Sequence, residues 1–335
     1  MEQYQYCVVV GRFEPFHLAH HELIREALSL AKTALVIIGS AHKARTIQNP
    51  WTAVEREAMI VAALTEEERA RVKFFHVRDY FYTNNRWLSE VQQLIAEATD
   101  GIEDDQICNI GEPVNDFYFP QWKYFKMRNL DRMPHATKVR DLYFTHDAAY
   151  KTHLDAPVAE ILENFKTTLA FKTLKDEYDH IRNYRSSWDG APFPPTFVTI
   201  DCIVIKSGHV LTVRRKGSPG RGLIALPGGF LNQKETILEG ALRELKEETG
   251  IKVSKEELEK SIIEQKVFDY PERSLRGRTI THAFLINLGQ GPLPVVKGMD
   301  DADKAWWMSL SDLATRESEF FEDHFHIITH FINKF

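Results

Sequence analysis

The sequence predicts an α/β protein made of two domains. Three observations carry that reading. At 335 residues the chain is longer than one ordinary domain. Its start gives a short apolar run at 6–10, a turn, and an amphipathic run to Lys32, in the order strand, turn, helix. Its last third carries, at 229–251, bracketing glycines and a run of carboxylates around one arginine, laid over a predicted helix between apolar, β-branched runs. One strong break lies between the two parts, where residues 184–195 hold three prolines and a glycine. The expected boundaries are therefore 1–183, a linker at 184–195, and 196–335.

In the first domain the turn reads Gly11-Arg12-Phe13-Glu14-Pro15-Phe16-His17-Leu18-Ala19-His20. A helix start offers unpaired N–H groups and a positive dipole end, which suits phosphate. His17 and His20, three apart, share a face there. Taken alone, a His-x-x-His pair fits zinc or a plain surface as readily as phosphate. Further strands are expected at 35–39, 74–77 and 107–111, each a buried-type apolar run. Arg78-Asp79-Tyr80 lies at the end of the third, where ligands bind in open α/β sheets. Asn84, Asn85, Arg86 and Trp87 lead into a helix, and Trp87 reads either as a stacking platform or as a half-buried helix aromatic. Residues 156–180 read as one or two helices closing the domain.

In the second domain 197–205 and 210–214 read as strands joined by a hairpin turn at Ser207-Gly208-His209. Residues 217–222 form a loop by composition, and 223–226 lead into Pro227-Gly228-Gly229. On the following helix Leu238, Ala241, Leu242, Leu245 and Thr249 form the buried stripe. Glu244, Glu247 and Glu248 crowd another flank at spacings of three and four. Their mutual repulsion would be relieved by a hard divalent cation, which takes oxygen ligands; a solvated acidic face is the rival explanation. Strands follow at 264–270 and 279–287, with Arg273, Arg276 and Arg278 on the loop between. Those arginines fit either solubility or a grip on phosphate. A strand edge and a terminal helix are expected after Asp300.

The run at 229–251 is Gly, five residues, Glu, seven residues, then Arg-Glu-apolar-x-Glu-Glu-x-Gly-apolar, and it resembles the Nudix box of pyrophosphohydrolases at every fixed position. That resemblance implies an α/β/α sandwich with a mixed sheet. It implies Mg²⁺, with Mn²⁺ as substitute, held by Glu244, Glu247 and Glu248, oriented by Arg243 and supported by Glu235. The stretch 271–278 resembles ADP-ribose hydrolysing members, which implies ADP-ribose contacts at Arg214, Arg221, Gly228, Gly229, Arg276 and Arg278. The N-terminal turn resembles the nucleotidylyltransferase signature Gly-x-Phe-x-Pro-x-His-x-Gly-His, with Ala19 at the usual second Gly. Ala136-Thr137-Lys138-Val139-Arg140 resembles the second phosphate motif, with His135 in place of its Ser. These imply a Rossmann-like domain with a parallel sheet, binding ATP through Gly11, Arg12, Phe13, His17, His20, Thr137 and Arg140. The Asn49-Pro50-Trp51 stretch ending in Glu55-Arg56 and the element Phe119-Pro120-Gln121-Trp122 are similar to nicotinamide mononucleotide adenylyltransferases. Acceptor contacts are thereby implied for Arg45, Asn49, Trp51, Arg56 and Trp87. The whole chain resembles the bifunctional nicotinamide mononucleotide adenylyltransferase/Nudix hydrolase family. His17, His20, Arg140, Glu244, Glu247 and Glu248 are its implied catalytic residues.

A net charge of −6 argues against a broad nucleic-acid footprint, while local arginines suffice for small phosphorylated ligands. Cys7, Cys108 and Cys202 are few, odd in number and far apart in sequence, so buried free thiols in a reducing cytoplasm are expected. The polar first residues and short apolar run do not make a secretory leader, and no span reaches membrane length. His324 and His326 are expected on a helix surface. Whether the protein forms a homo-oligomer stays open. Two rival readings remain. One is a transferase and hydrolase with another phosphorylated acceptor and another nucleoside diphosphate. The other is a Nudix-type ligand sensor, against which the intact box and the net charge both count.

Overall fold

The computed structural model describes residues 4–111, 118–127 and 135–332, apart from the side chain of Asn84. They divide into two compact units, Met1–Lys175 and Asp176–Phe335. Among them no helix is long and apolar enough to cross a membrane.

The first unit runs β1 (Tyr4–Gly11), α1 (Leu18–Leu30), β2 (Ala31–Ile38), α2 (Ala53–Ala63), β3 (Val72–His76), α3 (Asn84–Ala98), β4 (Ile107–Gly111), β5 (Lys123–Lys126), α4 (Ala136–Phe144) and α5 (Ala156–Phe165). Its sheet has the order β3-β2-β1-β4-β5, with every pairing parallel. Side chains alternate across a strand. Val8, Leu35 and Ile37 therefore share one face and meet Val91 and Ile95 of α3 in a single core. Winding reverses between β1 and β4, so the crevice for a ligand lies beyond the carboxyl ends of the strands. The turn at 11–17 occupies that end. α2 starts on a capping box in which Thr52 accepts from the Glu55 N–H while Glu55 accepts from the Thr52 N–H. The predicted strands at 6–10, 35–39, 74–77 and 107–111 all form, and β5 is an addition. Its Lys-Tyr-Phe-Lys sequence is short and flanked by charge, so it carries no periodic signal. Cys7 and Cys108 are register partners on β1 and β4, and all three cysteines are buried and free.

α6 (Leu169–Ser186) carries the chain from one unit into the next, so residues 184–186 of the Pro/Gly-rich stretch are helical. The second unit then runs β6 (Thr196–Lys206), β7 (His209–Arg215), β8 (Ile224–Ala225), β9 (Gly228–Phe230), α7 (Ile237–Thr249), β10 (Ile262–Phe268), β11 (Arg278–Asn287), β12 (Ala302–Ser309) and α8 (His324–Ile332). The sheet is mixed. Its order is β10-β11-β6-β7-β12, with β8 on β7 and β9 on β6, and only β6 with β11 is parallel among these pairs. The hairpin turn forms at Ser207 and Gly208, both at positive φ, as a two-residue connection that matches strand twist demands. Ile200, Cys202 and Val204 alternate onto the face covered by Ala241, Leu242 and Leu245 of α7.

One expectation is overturned. His324 and His326 are not surface residues: they are 6% and 8% exposed at the start of α8. Most of that helix is buried, so these two histidines serve as buried polar groups. His324 Nδ1 accepts the Leu226 N–H at 2.9 Å, and His326 Nε2 lies 3.6 Å from Glu317.

Candidate active sites

The first site is built on the turn between β1 and α1. Phe13 adopts φ 55°, and a Cβ at Gly11 would meet its ring at 2.8 Å, so the turn needs a residue without a side chain there. His17 occupies the N-cap of α1, yet its side chain does not cap. The His17 and His20 rings stack with centroids 3.7 Å apart, and Phe13 meets His20 edge-on at 4.9 Å. Both Nδ1 atoms are buried without a protein partner. Burial drives the His17 ring down to about 3, helped by the charges of His135, His153 and Arg140. Burial, then His17, also pushes His20 far below the ordinary range. Both rings are thus neutral donors and acceptors at neutral pH.

α4 brings Arg140 to the same turn. Its Nη1 donates to the Glu14 carbonyl at 2.5 Å and its Nη2 to Thr137 Oγ1 at 3.2 Å. Burial lowers the Arg140 guanidinium to about 10, still charged at neutral pH. Ala19 is buried and Arg12 is exposed.

The five residues expected at the acceptor fare differently. Arg45 is held bidentately by Glu55 at 2.6 and 2.8 Å and donates to the Pro50 carbonyl. Asn49 is buried, with Oδ1 unpartnered. Trp51 is buried between Tyr143 and Phe165, with Nε1 unpartnered. Arg56 is buried among backbone carbonyls. Trp87 is half-buried against Tyr118 and Phe119. Near them Asp79, expected from sequence at the ligand end of the third strand, accepts from Ser40 Oγ at 2.8 Å and pairs with Lys43 at 2.9 Å.

The second site lies where β9 meets α7. A Cβ at Gly228 would strike the Ile200 carbonyl at 2.1 Å, and one at Gly229 would strike Glu244 Oε1 at 2.4 Å. The two glycines let the backbone press against the helix carboxylates. α7 begins with a capping box between Thr236 and Glu239. Arg243 is the hub. It grips Glu235 bidentately at 2.8 and 2.7 Å, Glu244 at 2.8 Å and Glu247 at 2.9 Å, and also donates to the Phe230 carbonyl. Glu248 Oε2 accepts the Gly228 N–H at 2.9 Å. Burial pushes the Glu248 carboxyl up to about 8, and burial also raises Glu244 against the pull of Arg243. Among the described residues, no three such side chains already converge at metal-ligand spacing. Arg243 engages two of the three carboxylates, but the set is all oxygen, and two members disfavour negative charge. Those donors fit a hard divalent cation.

The arginines sort by position. Successive residues of a strand face opposite ways. Arg214 stacks over Trp306 at 5.7 Å, whereas Arg215 stacks over Phe321 at 4.0 Å and feels Arg276, Glu322 and Glu248. Arg215 was missed by sequence reading, and only the strand register could have chosen between neighbours. Arg276 lies over Phe230 at 5.0 Å, with Glu322 at 3.6 Å. Arg278 donates to the Asp269 carbonyl, and Arg221 is exposed. Arg273 is no phosphate grip: it is buried, with Asp323 at 2.9 and 2.8 Å and Asp201 at 3.8 Å.

Comparison with known proteins finds relatives of both domains. A Cytidylyltransferase-like domain is matched over residues 8–170 and a NUDIX domain over 195–331. The chain is 28% identical, over 53% of its length and 95% of the relative, to a nicotinamide/nicotinic acid mononucleotide adenylyltransferase of Acinetobacter baylyi. It is 38% identical, over 35% of its length and 63% of the relative, to an ADP-ribose pyrophosphatase of Methanocaldococcus jannaschii. A crystal structure from Francisella tularensis, a bifunctional NMN adenylyltransferase/ADP ribose pyrophosphatase complexed with AMP and a manganese ion, is 34% identical. It superposes with a TM-score of 0.93 over 99% of both chains. One likeness therefore spans both sites, and this chain belongs to the bifunctional NMN adenylyltransferase/ADP-ribose pyrophosphatase family.

Proposed function

We propose that the first unit transfers AMP from ATP to nicotinamide mononucleotide, giving NAD and pyrophosphate. The second unit hydrolyses ADP-ribose to AMP and ribose 5-phosphate. The observation that carries this reading is the whole-length likeness to one protein bearing both activities in its name.

At the first site the nucleophile is already a phosphate anion, so no strong base is needed. The work is positioning and charge stabilisation. His17 and His20, neutral and with unpartnered Nδ1 atoms, hydrogen-bond the triphosphate without an ionised partner to displace. Arg140 and Thr137 hold its outer phosphates, and Gly11, Arg12 and Phe13 bring the turn backbone against the nucleotide. Arg45, Asn49, Trp51 and Trp87 border the acceptor side, and Arg56 acts from beneath it.

At the second site Glu244, Glu247 and Glu248 would hold Mg²⁺ or Mn²⁺, which would supply positive charge to the diphosphate and a more acidic water. Arg243 sets the rotamers of Glu244 and Glu247, and Glu235 sets Arg243. Glu248 is fixed by the Gly228 N–H. Arg276 and Arg215 are placed to neutralise the diphosphate, with Gly228 and Gly229 giving it a close backbone. Glu244 or Glu247 takes the proton of the attacking water. All three substrates are small, and the protein works in the cytoplasm.

The test is direct. Purified protein is incubated with Mg²⁺, ATP, nicotinamide mononucleotide and ADP-ribose, and products are identified by mass. NAD together with AMP and ribose 5-phosphate is expected. Absence of NAD with hydrolysis intact would refute the transferase half alone.

A further inference from the structure

We infer that the buried pair Glu14–Arg56 is a positioning device of the transferase, which locks the ATP-binding turn to the acceptor-side loop. The inference rests on the transferase reading above, adds Glu14 to it and gives Arg56 a positioning role.

The geometry converges on Glu14. Its backbone carbonyl accepts from Arg140, the arginine of the second phosphate motif. Its side chain reaches the other way: Oε1 lies 3.0 Å from Arg56 Nε, and Oε2 accepts the Trp51 N–H at 3.4 Å. Glu14 and Arg56 are 2% and 1% exposed, so neither is free to contact a ligand from where it stands.

Arg56 completes the knot. Its Nη1 donates to the Arg12 carbonyl at 2.5 Å and the Gly39 carbonyl at 2.7 Å, and its Nη2 donates to the Ser40 carbonyl at 3.1 Å. Arg12 belongs to the turn after β1, and Gly39 and Ser40 to the loop after β2. One planar fork thus fixes two loops at the carboxyl ends of neighbouring strands. Nε also approaches the Thr52 carbonyl at 3.4 Å, the N-cap of the helix that carries Arg56 itself.

A rigid guanidinium is suited to such a task, since it offers five donors in fixed directions, whereas an ammonium offers a point charge. Burying the pair is electrostatically expensive, and a hydrophobic substitute of similar volume would often hold a core as well. What a hydrophobic substitute cannot do is set the angle between the loops. The transferase needs that angle, because in-line attack requires the acceptor phosphate and the α-phosphate to be aligned, and a misplacement of about 1 Å can lower the rate about 10²-fold.

Four full-length variants test the idea: Arg56→Lys, Arg56→Met, Glu14→Gln and Glu14→Ala. NAD formation is measured with kcat and KM resolved for both substrates. ADP-ribose hydrolysis by the same sample serves as the internal reference for active protein. Arg56→Lys should lower kcat by about tenfold or more with both KM values within about threefold, because it keeps charge and loses the fork. Arg56→Met should lower kcat further. Glu14→Gln keeps the side chain's shape and one acceptor oxygen, enough for either the Arg56 or the Trp51 contact, and should retain more kcat than Glu14→Ala, which keeps neither. Should Arg56→Met fail to fold, the Lys and Gln variants carry the decision.

An unchanged kcat in Arg56→Lys would overturn the inference. So would a rise confined to the KM for nicotinamide mononucleotide, which would make Arg56 an acceptor-binding residue. Loss of kcat in Glu14→Gln equal to that in Glu14→Ala would also overturn it, since the shape of the contact would then not matter. If the unmodified protein forms no NAD, the transferase reading fails first and takes this inference with it.

Discussion

The two sites are charged in opposite senses, and each is uncomfortable in its own way. In the first, burial strips positive charge: His17 and His20 are neutral, and Arg140 holds its proton less firmly than a free guanidinium. In the second, burial strips negative charge: Glu244 and Glu248 both resist ionisation, and Arg243 is drawn in to compensate. Each strain would be relieved by the ligand proposed for that site, a polyphosphate in one and a divalent cation in the other. Perturbed titrations of this kind mark functional sites more often than structural ones. The comparison teaches that the two halves are separable by charge, and single substitutions should separate them.

The largest effects should come from removing the groups at the centre of each strain. Glu248→Gln should cut ADP-ribose hydrolysis by more than the 10–100-fold or so typical of a metal site's outer partners, and leave NAD formation intact. His20→Ala should do the reverse, lowering NAD formation by about 10²–10³-fold, the usual consequence of losing a donor at a developing charge. Loss of both activities from either change, measured on one sample, would break the separation.

A smaller loss is expected from Arg243→Ala. Arg243 touches no proposed ligand, yet it orients Glu244 and Glu247 and is itself held by Glu235. Hydrolysis should fall about 10–100-fold, as for outer-shell partners of metal ligands, and added Mg²⁺ should recover part of it. A variant that binds Mg²⁺ with unchanged affinity, read by calorimetry, would show that the arginine does not organise the carboxylates.

Smaller still is the contrast between neighbours. Arg215→Ala should raise the KM for ADP-ribose, while Arg214→Ala, whose guanidinium lies over Trp306, should leave it near the original value. Steady-state kinetics on the pair decides whether the strand register assigns the phosphate contact. Equal effects would mean that it does not.

That pair also shows where sequence reading stops. The box at 229–251 is legible because its helix has a regular apolar period and its carboxylates and bracketing glycines stand at fixed spacing. The turn at 11–20 was legible because its residues perform local tasks within a few positions of each other. Long-range pairing was not legible. Arg273 reads as a candidate phosphate grip, since a sequence shows a charge and not its partner. The structure gives it Asp323 instead. His324 and His326 misled for the same reason, because a polar residue on a helix reads as exposed unless its neighbours are known to be buried. Strand β5 was too short and too charged to announce itself.

The last prediction concerns stability, and it tests whether the first site is as disfavouring to positive charge as its geometry suggests. An imidazole in the unfolded chain has a pKa near 6.5, while burial pushes His17 in the folded unit down to about 3 and His20 well below its usual value. Between those limits the unfolded state binds more protons than the folded state. Stability therefore rises with pH across the window and is lost as pH falls from about 6.5 toward 3. Other groups contribute to acid unfolding, so the decisive measurement is a difference. Hydrogen exchange of the α1 amides, followed against pH, should show a shallower acid loss in a His17→Asn/His20→Asn double variant than in the unmodified protein. Equal slopes would mean that the rings accept protons in place, and the neutral-imidazole account of the ATP site would fall.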